Sequence, residues 1–135
     1  MKPVPYTRLA RTTFLACVLG ALSTPLAAAA TADHWEGVVT SNAMSSTRVE
    51  ARFTDREVSL HFGEPANCRL VAALLHRDDG ATYYRFHPAQ NGGAFCTRLY
   101  PGEVTVAWPS ADVATLTFHR GDALWSGMLK PVSTP

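Results

Sequence analysis

Short runs in which apolar and polar residues alternate constrain the fold of this chain more than any other feature. Alternation with a period of two is typical of strands that bury one face. From Trp35 onward such runs follow one another closely, separated by turn residues. The pattern predicts an all-β fold, a small antiparallel meander of eight or nine strands that closes into a barrel or a sandwich. The predicted strands are 35–40, 47–53, 57–63, 70–76, 81–87, 95–100, 103–108, 113–119 and 123–129.

Two-residue loops fix which residues of a hairpin face each other, so each hairpin indicates whether apolar residues share a face. Four such loops are predicted, and each one gathers apolar residues on one face of its hairpin. This agreement favours strands at all four places. The predicted pairs are Phe53 with Val58, Ala51 with Leu60 and Val49 with Phe62 around Asp55-Arg56; Leu75 with Tyr84, Ala73 with Phe86 and His76 with Tyr83 around Asp79-Gly80; Leu99 with Val104, Thr97 with Val106 and Phe95 with Trp108 around Pro101-Gly102; and Phe118 with Trp125 and Leu116 with Gly127 around Gly121-Asp122.

The segment 67–77 admits two interpretations. Asn67 is a good helix N-cap, and Leu70, Val71 and Leu74 share a helical face, so a helix is one alternative. The other is a strand that pairs with the aromatic run 83–86 through the Asp79-Gly80 turn. We expect the strand, because the aromatic run needs a partner.

The first and last predicted strands share a short motif. Trp35-Glu36-Gly37 opens the series and Trp125-Ser126-Gly127 closes it, and two apolar residues follow each glycine. The first and last strands of a meander pair with each other when it closes into a barrel, and closure removes exposed edges. The motif therefore favours closure.

The first 32 residues contain basic, apolar and small residues in the order that is typical of a secretory signal peptide. Lys2, Arg8 and Arg11 precede an apolar run over 12–22, and alanines follow. Cleavage is predicted after Ala30 or Ala32. The alternative is an uncleaved membrane anchor, but the run is short of the ~20 apolar residues that span a bilayer. Residues 33–129 then form one β domain, and residues 130–135, with two prolines, are expected to be a frayed tail.

Because the chain is expected to be exported, we expect the two remaining cysteines to form a disulfide. Cys68 and Cys96 follow the leader, and an oxidising compartment allows them to pair. Neither cysteine belongs to a Cys-x-x-Cys pair, and no histidine is spaced to complete a zinc set. We therefore predict one structural bridge, with no metal and no cofactor.

The charge balance excludes some classes of partner. Nine basic and eleven acidic residues follow the leader, which leaves a net charge of −2. Nucleic-acid binding needs a basic stripe or patch, and an anionic membrane surface needs a polybasic segment. We expect neither nucleic acid as a partner nor membrane insertion after cleavage.

No catalytic motif stands out, although the chain contains five histidines. They are His34, His61, His76, His87 and His119, and none form a His-x-His or His-x-x-x-His pair. The sequence also lacks the Gly-x-Ser-x-Gly elbow of many hydrolases. We expect a protein without catalytic activity. A small enzyme would require His61, His87 or His119 to converge with a carboxylate.

Loops that a bridge would stiffen are the predicted contact surface. In small β scaffolds function concentrates on loops held by a rigid frame, and Cys68 and Cys96 adjoin the loops 64–67 and 88–94. We therefore expect an exported binding protein, periplasmic or secreted, with an inhibitor or immunity-type partner of a hydrolase or toxin as its sharper form. The candidate partner-binding residues are Gln90, Asn91, Gly92, Gly93, Glu64, Asn67, Tyr83 and Tyr100.

A small-ligand-binding barrel is the alternative. Aromatic residues could line the mouth of a barrel, although Phe53, Phe62, Phe118 and Trp108 alternate with the inward set and are expected in the core. The two hypotheses differ in what they require. A ligand carrier needs an internal cavity, whereas an inhibitor needs a filled core and a protruding loop.

Overall fold

A computed structural model of the chain describes Pro3, residues 33–91 and residues 93–133. Apart from Pro3, the predicted signal peptide lies outside the described residues, as do Gly92 and residues 134–135. Eight strands and one short helix follow in order. They are β1 His34–Ser41, β2 Ser46–Phe53, β3 Glu57–Phe62, β4 Cys68–Arg77, β5 Ala81–Phe86, α1 Ala94–Thr97, β6 Glu103–Ser110, β7 Val113–Arg120 and β8 Ala123–Pro131.

The strands form a closed antiparallel barrel. Each strand pairs with the next in sequence, and β8 pairs with β1 to complete the circle. The all-β prediction is confirmed, with a barrel rather than a sandwich. Strand β8 also continues through Lys130 and Pro131, which pair with Glu36 and Trp35. The frayed tail was therefore predicted to begin two residues too early.

Hairpin registers are confirmed where the turns are tight and regular. The β2–β3 pairs match the predicted ones throughout, and Phe118 faces Trp125 as predicted in β7–β8. Segment 68–77 is a strand, so the helical alternative is wrong. Its pairing with β5 contains an irregularity between Leu74 and His76. His76 faces Tyr83 as predicted, but beyond the irregularity Tyr84 faces Leu74 instead of Leu75.

The predicted strand at 95–100 and its hairpin are wrong. Residues Ala94–Thr97 form one helical turn, in which the Thr97 N–H donates to the Gly93 carbonyl at 3.0 Å. The bridge from Cys96 to Cys68 holds this turn against the start of β4. Without a strand there, β6 pairs with β5, and Tyr84 faces Val104. The described residues thus form eight strands.

The barrel has two unlike ends. At the closed end lie the connections 42–45, 63–67 and 121–122 and the described parts of 87–102, and α1 covers the interior there. At the open end lie Asp33, the turns 54–56, 78–80 and 111–112, and the end of β8. Between them the interior is filled by side chains that are at most 1% exposed, among them Val49, Leu60, Leu70, Val106, Leu116 and Leu129.

The repeated Trp-x-Gly motif lies at the seam between β1 and β8. A Cβ built at Gly127 would overlap the carbonyl oxygen of Val38, and a Cβ built at Gly37 would overlap that of Met128. Glycine in a strand marks such a close approach of two backbones. The two glycines therefore allow β1 and β8 to close the barrel.

Candidate functional site

A cavity of about 620 Å³ opens at the open end of the barrel. It forms because the turns at this end are short and, among the residues that the structure describes, no helix covers them. The ends of five strands and the neighbouring turns surround it. The lining residues are Asp33, Trp35, Phe53, Thr54, Asp55, Arg77, Thr82, Tyr84, Trp108, Ser110 and Ala111.

Four aromatic side chains form the bottom of this cavity, which we call the aromatic floor: Trp35, Phe53, Tyr84 and Trp108. The Trp35 and Trp108 rings are 5.1 Å apart and meet edge to face at 77°. Phe53 lies 5.2 Å from Trp108 and 6.4 Å from Tyr84. At these distances the rings pack against one another, so they present a continuous surface rather than an open cage.

Trp108 is the most exposed member of the aromatic floor. It is 36% exposed, whereas Trp35 and Tyr84 are 4% and 3% exposed. The prediction that Trp108 lies in the core is therefore wrong. It follows the last regular pair of β6 with β7, Ala107 with Thr115, where the barrel opens. An exposed tryptophan beside a cavity offers a ligand a flat apolar surface.

Two hydroxyl groups on β5 face the cavity and make no hydrogen bond to a described residue. Thr82 and Tyr84 point inward, are 6% and 3% exposed, and both line the cavity. Because these hydroxyls are open to the cavity, they are free to hydrogen-bond a ligand or water there. Burial raises the pKa of Tyr84, which keeps its phenol protonated at neutral pH.

Charged groups form the rim of the cavity. Asp33 and Asp55 contribute carboxylates, and Arg77 contributes a guanidinium. The Arg77 Nη2 donates to the main-chain oxygen of Asp55 at 3.1 Å, which fixes the guanidinium at one side. The Ser110 hydroxyl donates to the carboxylate of Asp112 at 2.7 Å. The site thus combines an apolar floor, two hydroxyls open to the cavity and a charged rim.

The closed end has a different construction. Phe95 of α1 packs 4.9 Å from Phe62 and 5.1 Å from Trp125, and so covers the core. The Arg120 guanidinium lies 4.7 Å from the Phe95 ring centre, and its Nε donates to the Phe95 carbonyl at 3.1 Å. Burial, with Arg98 nearby, lowers the pKa of Arg120. The helix is thus held by the predicted bridge, by ring packing and by one arginine.

The structure places the predicted contact loop against the barrel. The Arg69 N–H donates to the Asn91 Oδ1 at 3.1 Å, and the Gln90 N–H donates to the Arg69 carbonyl at 3.4 Å. Gly93 packs so closely on the bridge that a Cβ there would lie 2.7 Å from the Cys68 Cβ. Gly92 lies outside the described residues. The described part of this loop is therefore bound to the start of β4 instead of protruding.

The other predicted contact residues do not form one surface. Glu64 and Asn67 lie in the β3–β4 connection at the closed end, where Asn67 has a positive φ of 42°. Tyr100 is 48% exposed at the same end. Tyr83 lies on the outer face of β5, where its ring stacks on His76 at 4.3 Å. Tyr83 is thus separated from the closed-end group.

Two of the five histidines converge on one carboxylate. The Glu50 Oε2 lies 3.6 Å from His34 Nε2 and 3.9 Å from His61 Nδ1, on the outer face of β1–β3. His87 follows β5 and His119 pairs with Leu124 on β8, away from Glu50. Within the described residues no group of three or more His, Cys, Asp or Glu side chains is arranged to hold a metal ion.

The sequence comparisons name no relative. No protein-family model matches the chain, and no curated protein matches it. None of the helices among the described residues is long and apolar enough to cross a membrane. The bridge between Cys68 and Cys96 is compatible with an extracytoplasmic location.

Proposed function

We propose that the chain is an exported binding protein without catalytic activity, which takes a compact ligand in the open mouth of its barrel. The observation that carries this proposal is the open cavity itself, in which the partly exposed Trp108 lies beside the hydroxyl-bearing side chains of Thr82 and Tyr84. A cavity of about 620 Å³ also falls within the range of ~300–1,000 Å³ that is usual for small-molecule sites.

The filled interior limits the size of the ligand. Below the aromatic floor, Leu60, Leu70 and Leu116 are at most 1% exposed, so the cavity does not continue into the barrel. A long acyl chain would have to displace this core, which is packed at the density of a protein interior. A compact molecule with one flat apolar face and polar groups at its edge matches the floor and the rim.

The placement of loop 87–91 is the reason for preferring a ligand to an inhibitory loop. An inhibitor of the kind expected from the sequence would use a protruding loop, whereas Gln90 and Asn91 are bonded to Arg69. The exported, periplasmic or secreted location remains part of the proposal. It is supported by the basic and apolar order of the leader and by the disulfide.

Replacement of Trp108 is the direct test. Trp108→Ala removes the exposed face of the floor, so binding in the mouth should weaken about 10-fold or more. The measurement is ligand-observed NMR with a panel of compact aromatic compounds and saccharides, each class in cationic, neutral and anionic forms where available. Calorimetry then gives the affinity of each compound that binds.

Tyr100→Ala is the matched control, because Tyr100 is also an exposed aromatic residue but lies at the closed end. We expect this variant to bind like the unmodified protein, with circular dichroism confirming that both variants keep the barrel. Two results would contradict the proposed function. One is an equal loss of binding in both variants, and the other is that the unmodified protein binds no compound of any charge.

A further inference from the structure

We infer that the ligand of the open mouth is a compact cation, an ammonium group attached to an apolar body. This inference rests on the proposed function, since it names the chemical class that the same cavity takes. Three independent features of the mouth support it: the charge of the surrounding residues, the surface of the aromatic floor and the hydrogen-bonding character of the lining groups.

The residues around the mouth carry a net negative charge. Five carboxylates meet three cationic groups there, which leaves a net charge of −2. The carboxylates are those of Asp33, Asp55, Asp78, Asp79 and Asp112, and the cationic groups are those of Arg56, Arg77 and, at the end of β8, Lys130. A cleft with low-dielectric walls concentrates such a field, so cations are attracted to the mouth and anions are repelled.

One of these carboxylates is held in its charged form by the turn it belongs to. The Gly80 and Ala81 N–H groups donate to the Asp78 Oδ1 at 3.2 and 3.1 Å. The bond from Gly80, together with one from the Tyr83 hydroxyl, lowers the pKa of Asp78 below its ordinary value. The negative charge at the open end therefore persists well below neutral pH.

The aromatic floor adds an attraction of the same sign. The faces of aromatic rings are negative, and a cation over the face of a tryptophan is stabilised by about 0.5–2 kcal/mol, depending on its desolvation. Trp108, 36% exposed at the cavity, offers such a face. Because the rings pack against each other, the cation would lie on the floor and not between the rings.

The hydrogen-bonding groups of the lining can accept donors from the ligand. The carboxylates only accept hydrogen bonds, whereas the hydroxyls of Thr82 and Tyr84 both accept and donate. The charged donor of the lining is Arg77, whose Nη2 donates to the main-chain oxygen of Asp55. An ammonium group supplies up to three donors together with the complementary charge.

The test compares three probes of the same shape that differ in charge. Calorimetry measures the binding of each probe to the full protein without its predicted signal peptide. The probes are phenethylammonium, 2-phenylethanol and phenylacetate, with cellobiose as an uncharged saccharide. We expect phenethylammonium to bind about 10-fold more tightly than 2-phenylethanol, and phenylacetate to bind more weakly than either. Raising the sodium chloride concentration from low to high should reduce this preference, because salt screens exposed charges.

Two variants assign the preference to the rim. The double substitution Asp33→Asn with Asp55→Asn should bring the affinities for phenethylammonium and 2-phenylethanol within about 2–3-fold of each other, with the alcohol bound as before. Asp122→Asn is the matched control, since this carboxylate lies in a turn at the closed end. It should keep the preference.

The outcomes separate this inference from the proposed function. If 2-phenylethanol or cellobiose binds as tightly as phenethylammonium, and Trp108→Ala abolishes that binding, the cationic ligand is wrong and the ligand-binding mouth stands. If none of the four probes binds, the cationic ligand is also wrong. The wider panel described above then decides whether the mouth binds anything.

Discussion

Gly127→Ala is expected to destabilise the barrel by about 3 kcal/mol or more, at or beyond the upper end of the usual effect of overpacking. The added methyl group would overlap the Val38 carbonyl and lie 2.8 Å from the Val39 Cα. All three of its nearest atoms are backbone atoms, so no side chain can move aside. Strands β1 and β8 would have to separate at the seam that closes the barrel.

Urea unfolding, followed by circular dichroism, measures this effect. Gly80→Ala is the matched control, since nothing lies within 4 Å of a Cβ built at Gly80. This glycine lies in the turn between β4 and β5. The control should stay within about 0.5 kcal/mol of the unmodified protein. Equal stability of the two alanine variants would show that the backbones of β1 and β8 do not approach each other closely at Gly127.

Removal of the disulfide has the second large expected effect. Cys68 and Cys96 are separated by 28 positions, and a bridge across a loop of that size contributes about 3–4 kcal/mol in the chain-entropy model. Both cysteines are fully buried, so alanine is the suitable replacement. The double variant Cys68→Ala with Cys96→Ala should unfold at a lower urea concentration and lose the contact of α1 with β4.

The open end provides an internal check on this variant. Trp108 and Thr82 lie at the other end of the barrel from the bridge, so compounds that bind the mouth should bind the folded double variant with unchanged affinity. Hydrogen exchange should become faster in residues 94–97 and remain slow in β1–β3. A double variant as stable as the unmodified protein would refute the structural role of the bridge.

Local patterns were enough to predict the regular hairpins. A two-residue turn leaves one register, and alternation selects the buried face, so the pairs of Phe53 with Val58 and of Phe118 with Trp125 are confirmed. The irregularity between Leu74 and His76 has no such local signal. It inserts one residue into β4, and every predicted pair beyond it moves by one position.

The error at 95–100 has a different cause. Alternation in Phe95–Tyr100 resembles a strand, but a strand needs neighbours, and the next strand β6 is taken by β5 and β7. The bridge to Cys68 instead holds Cys96 at the start of β4, where one helical turn covers the core. A tertiary constraint thus overrides a weak local pattern.

The candidate site could be predicted only in part. Aromatic residues at the mouth of a barrel are an expectation of the sequence. Trp108 alternates with the buried Val104 and Val106 and is therefore expected in the core, but it is 36% exposed because it lies where the barrel opens. Whether the hydroxyls of Thr82 and Tyr84 stay open to the cavity depends on which side chains reach them, and sequence patterns carry no such information. The charged residues of the open-end turns, in contrast, follow from the order of the strands alone.

The most direct test of the ligand-binding mouth is a two-dimensional ¹H–¹⁵N NMR titration of the labelled protein with phenethylammonium and, separately, with 2-phenylethanol. Whichever of the two probes binds, the proposal predicts that it shifts the Trp108 indole signal and the amide signals of Thr82 and Tyr84. The amide signals of Cys96 and Arg120 at the closed end should stay unchanged. Shifts centred on Cys96 and Arg120, with Trp108 unaffected, would contradict the account.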